Sequence, residues 1–214
     1  MILAYELSAQ DDDTYMLGEQ TYRPEEPGFH DWRFGVDGVP HPATCPTCGR
    51  RTDPDFVSQS FRVKHRRRDL IATYDGYLIA STRLRDFCVS RGDPGVFFVP
   101  LPADNAFFWL RSDRMIGFDA ALRGTRLERH CQTCRAFYSV VGADPVMLRG
   151  VAEPLLEGFY RTDLEFGSGP EQCPIVIVGI RTAQALRGAN FRGLELGEVT
   201  GLCRRGTPPA PPPR

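Results

Sequence analysis

The chain has 214 residues, 42% of them apolar and 25% charged, an ordinary composition for a soluble globular protein. At this length roughly 70% of the unfolded surface can be buried on folding, so no metal is needed to replace a missing core. With 26 basic and 27 acidic side chains the net charge is −1, which excludes a strong overall attraction to nucleic acid or to a membrane surface.

No apolar run approaches the roughly 20 residues of a membrane helix. The opening stretch, "MILAYELSAQDDD", has no basic segment ahead of its apolar residues, so it does not read as a signal peptide and a cytoplasmic location is expected. In that reducing compartment the seven cysteines point to metal binding before disulfides.

Residues 1–44 are rich in Asp, Glu, Gly and Pro and predict a strand or two followed by a long loop, anchored on the core by Phe29, Trp32 and Phe34. The acidic run Asp11 to Asp13 reads as a solvated loop. Next comes "ATCPTCGRR", where Cys45 and Cys48 are spaced to present two thiolates to one ion, and Pro46 and Gly49 suit the tight turn of a metal knuckle. The run "RVKHRRRD" (62–69) is the one dense basic patch, and Arg66, Arg67 and Arg68 are its candidates for phosphate contact. It has no interleaved aromatics, and a solvated face or a patch for an acidic protein surface is the plainer reading. "DLIAT" and "YLIAS" flank Asp75-Gly76 as a hairpin would. "TRLRDFCVSR" then predicts a helix with Thr82 as its N-cap, and "PGVFFVPLP" a strand.

"AFFWLR" and "RMIGFD" predict strands leading to a second knuckle, "HCQTCRA", with Cys131 and Cys134 but without the Pro and Gly of the first. "AFYSVVG" leaves it as a strand, "DPVMLRGVAE" predicts a short helix, and "GFYRTDLEFG" reads as half-buried extended chain. Strand, helix, strand then recurs: a shift of 98 residues lays 77–101 over 175–199 without a gap, setting Ile79 on Ile177, Arg83 on Arg181 and Gly95 on Gly193. Each unit follows a CxxC, the two CxxC pairs lying 86 residues apart. The Pro-rich tail 204–214 predicts disorder.

A tetrahedral zinc site takes four soft ligands at about 2.3 Å. Cys45, Cys48, Cys131 and Cys134 could supply them if the fold closes the 82-residue gap between the pairs, in the manner of a split zinc ribbon. Three other readings stay open: a redox pair, two separate sites completed by His41 and His130, or four unrelated buried thiols. A thioredoxin-type pair would open a helix, whereas a Pro/Gly turn surrounds Cys45 and a strand-like run follows Cys134. Cys88 and Cys173 read as core residues and Cys203 as a tail thiol. No phosphate loop, G-x-S-x-G or H-E-x-x-H is present, and Glu153, Glu157 and Asp163 read as solvated, so no enzyme is expected.

The succession of "CPTCGR", a second CxxC, "GFYRTDL", "PIVIVGIRTAQAL" and "GLELGEV" resembles the double-CXXCG proteins of myxobacteria. It departs from that pattern at Arg135, where the motif has Gly, and in the distance of the first knuckle from the N-terminus. The resemblance implies a small cytoplasmic protein, similar to immunity partners of polymorphic toxins, that binds and blocks a cognate protein toxin. Alternatives from other classes are a zinc-ribbon nucleic-acid binder and a CxxC thiol redox protein. The expected fold is α+β: two strand-helix-strand units joined by a split four-cysteine zinc ribbon, in a single domain of residues 1–203 with halves 1–105 and 106–203.

Overall fold

Alternating apolar residues and turn signals make sheet the main regular structure, and among the described residues three α-helical segments and one 3-10 turn complete a mixed α+β structure. The computed structural model describes residues 1–22, 32–34 and 41–201. Phe29, Cys203 and the tail lie outside the described residues, as does the side chain of Trp32; Phe34 is buried, as an anchor should be. In chain order the strands are β1 (Ile2–Asp11), β2 (Gln20–Tyr22) and β3 (Trp32–Phe34), then the hairpin β4 (Leu70–Ala72) and β5 (Leu78–Ser81). Helix α1 (Thr82–Arg91) leads to β6 (Val96–Pro100), β7 (Phe107–Ser112) and β8 (Met115–Ile116). A single helical turn, α2 (Ala120–Arg123), precedes β9 (Arg126–His130), β10 (Phe137–Val141) and β11 (Phe159–Ser168). The chain closes with β12 (Cys173–Val178), α3 (Ile180–Gly188) and β13 (Leu194–Thr200).

Three local expectations are corrected. Ser81, not Thr82, caps α1: its hydroxyl accepts from Leu84 N, while Thr82 Oγ1 turns away to Ala106 O. "DPVMLRGVAE" forms no helix. Pro145 removes a donor and disfavours helical backbone at Asp144, and Val146 and Leu148 enter the core at the two-residue spacing of extended chain. The run Asp11 to Asp13 is solvated at Asp11 and Asp13 but not at Asp12, which is 0% exposed and accepts from the backbone N–H groups of Lys64 and His65.

The two strand-helix-strand units share one arrangement. β5 and β6 both pair antiparallel with β7, which lies between them, and β12 and β13 both pair antiparallel with β1. Phe108 faces Ala80 and Pro100; Tyr5 faces Val178 and Glu198, and both sets of partners are 98 residues apart. Asp113 N donates to Gly95 O and Gln10 N to Gly193 O, again 98 residues on. The central strand of each unit therefore comes from the other half of the sequence. A core of Leu7, Leu110, Leu84, Ala183, Leu186 and their neighbours lies between the units, and two further cores cover their outer faces.

Candidate metal centre

Each CxxC is a tight hairpin turn held by the same backbone bonds. Cys45 N donates to Arg50 O and Gly49 N to Cys45 O; Cys131 N donates to Ala136 O and Arg135 N to Cys131 O, at 2.7 to 2.8 Å. Thr44 bridges Arg51 as His130 pairs Phe137, so the flanking chain is extended on both sides of each knuckle. The residue after the second Cys takes positive φ in both, 76° at Gly49 and 57° at Arg135. That conformation suits Gly and costs an L side chain roughly 1–2 kcal/mol.

The fold brings the knuckles face to face. Cys45 Sγ lies 3.9 Å from Cys131 Sγ and Cys48 Sγ 3.7 Å from Cys134 Sγ, and the four sulfurs all lie within 4.8 Å of one another. Sulfurs at the corners of a tetrahedron about an ion 2.3 Å away would stand about 3.8 Å apart, so the donor set and its spacing fit one zinc. Cys45, Cys48 and Cys131 are buried and Cys134 is half-buried. Backbone N–H groups, that of Cys134 first, draw the Cys131 thiol down to about 6, whereas burial pushes Cys48 and Cys134 up. The two separate sites are not formed: His41 Nδ1 accepts from Ala43 N, and His130 packs its ring on Phe137.

Several positioning residues carried no sequence signal of this role. Gln172, 2% exposed, accepts from Arg50 Nε at 2.7 Å and donates to Phe137 O and Tyr138 O, tying the first knuckle to the strand that leaves the second. Arg50 also pairs with Glu165 at 2.7 Å, and Tyr138 packs against the thiols. Thr47 and Thr133 meet at 2.8 Å across the site. That pair was legible, since the same Thr stands third in "CPTC" and "CQTC".

The fold pairs part of the basic run with acids. Arg66 is bonded to buried Asp104 and lies over the Phe107 ring, Arg68 donates to Asp11 O, and Lys64 lies 3.6 Å from Asp13. Arg67 stays exposed. Among the described residues no helix is long and apolar enough to cross a membrane. Set against known proteins, the chain matches no family model and no curated protein.

Proposed function

We propose that this is a non-catalytic binding protein whose four thiolates hold one structural zinc, and that its partner is a cognate protein toxin. The convergence of Cys45, Cys48, Cys131 and Cys134 at tetrahedral spacing supports the metal. A site closed by four thiolates offers no open position for water or substrate, so its role is to hold structure. The immunity reading rests on the resemblance to double-CXXCG proteins, and a cytoplasmic location comes with it. The shared arrangement of the two units supports a further reading, that the halves are copies of one ancestral half whose first strands have exchanged places.

Elemental mass spectrometry of protein purified without added zinc tests the metal. The expected content is about one zinc per chain, lost together with soluble yield in Cys131→Ser because site formation is coupled to folding. Absence of zinc with reactive thiols would put a redox pair in its place. The partner is tested by co-purification with the product of the neighbouring gene. Capture that is insensitive to salt supports the toxin, and retention of nucleic acid with a steep salt dependence overturns it.

A further inference from the structure

A cavity of about 530 Å³, partly open to solvent and within the roughly 300–1,000 Å³ typical of small-molecule sites, is lined by both units. Its apolar wall includes Leu7, Ala9, Leu78, Leu110 and Val176, contributed by β1, β5, β7 and β12. Beside Val176, on the adjacent β11, stands Arg161.

The charges around this wall are unevenly committed. Arg51 stacks over Tyr77 and donates to Asp75 O and Gln172 O; Arg111 is bonded to Asp55, and Glu165 to Arg50. Asp11 and Glu171 are exposed to solvent, and burial pushes the Glu6 carboxyl up towards its neutral form. Arg161 differs from all of these: half-buried, it has no carboxylate, carbonyl or ring partner among the described residues. The shared strand register sharpens the point. Arg161 faces Val176 as Ala72 faces Leu78, so in the other unit the equivalent place holds a methyl group. A half-buried guanidinium without a partner is costly, and a carboxylate meets its fork with two charge-assisted hydrogen bonds.

We infer that this cavity binds a small amphipathic carboxylate, with its headgroup on Arg161 and its apolar body against Leu7, Leu78, Leu110 and Val176. Such a ligand supplies the missing counter-charge, and its chain fills the cavity beside side chains that the core already shields from water.

Decanoate titrated into the zinc-loaded full chain tests the site, followed by calorimetry and by tryptophan fluorescence, since Trp109 borders the cavity. Saturable binding of about one decanoate per chain is expected, with decanol and the R161Q variant each weaker by about tenfold or more, as the loss of a charge-assisted pair requires. R161K should recover part of the loss by keeping the charge without the fork. Zinc content, measured on the same samples, should be unchanged in both variants, which separates failure of this site from failure of the metal centre. Absence of saturable decanoate binding, equal binding of decanol, or full affinity in R161Q would each overturn the inference.

Discussion

Arg135 sits where the geometry asks for Gly. Its φ of 57° matches the 76° of Gly49 at the same place in the first knuckle, and its side chain is exposed, so nothing packed depends on it. The backbone bond from Arg135 N to Cys131 O needs the conformation and not the side chain. Arg135→Gly is therefore expected to stabilise the folded chain by about 0.5–1 kcal/mol, relief of left-handed strain less the added freedom of the unfolded glycine. Denaturant unfolding of the zinc-bound protein would show it as a higher midpoint at unchanged slope. A lower midpoint would mean that the guanidinium makes a contact worth more than the strain. Asp12 carries the opposite lesson at this scale: an acid in a charged run can be a buried anchor, and only the distant backbone it caps, at Lys64 and His65, reveals the difference.

Two glycines mark where the elements of each unit close on a neighbour. A Cβ on Gly95 would stand 2.4 Å from Phe159 O, and one on Gly193 would stand 2.4 Å from Leu70 O; both have φ near 80°. The strand-helix-strand crossover thus passes so close to the next strand's carbonyl that neither a side chain nor a right-handed backbone fits. Gly95→Ala and Gly193→Ala are each expected to cost about 2–4 kcal/mol, a clash with backbone added to left-handed strain. Thermal unfolding of the pair should show similar losses, and tolerance at one position alone would contradict the equivalence of the two crossovers. These elements were legible because their signals are local: Asp75-Gly76 between apolar runs, helical spacing from Leu84 to Cys88, alternation in "AFYSVV". What stayed hidden depends on pairing at a distance. β9 is exposed and polar, "RLERH", and is a strand only because β10 pairs with it. The cysteine site itself was readable as four residues, while Gln172 and Arg50, which hold the knuckles together, lie 122 residues apart and have no spacing to betray them.

At the scale of the molecule the four-cysteine cluster and the reciprocal strand pairing are two separate devices joining the same halves. β1 lies between β12 and β13, and β7 between β5 and β6, so removing β7 would leave the facing edges of β5 and β6 without a partner, and removing β1 those of β12, β13 and β4. Backbone ladders of that extent, with Leu7 and Leu110 packed in the shared core, do not depend on a metal. A protease site inserted at the exposed Pro102, between β6 and β7, would cut the chain while leaving every strand pairing in place. The nicked protein is expected to elute as one particle in gel filtration and to keep its zinc, because each fragment supplies the other's central strand. Chelation then separates the two devices: the fragments should still co-elute without zinc, with lowered thermal stability, and part only in denaturant. Fragments that separated on chelation alone would show that the thiolate clip, and not the reciprocal strand pairing, holds the halves together.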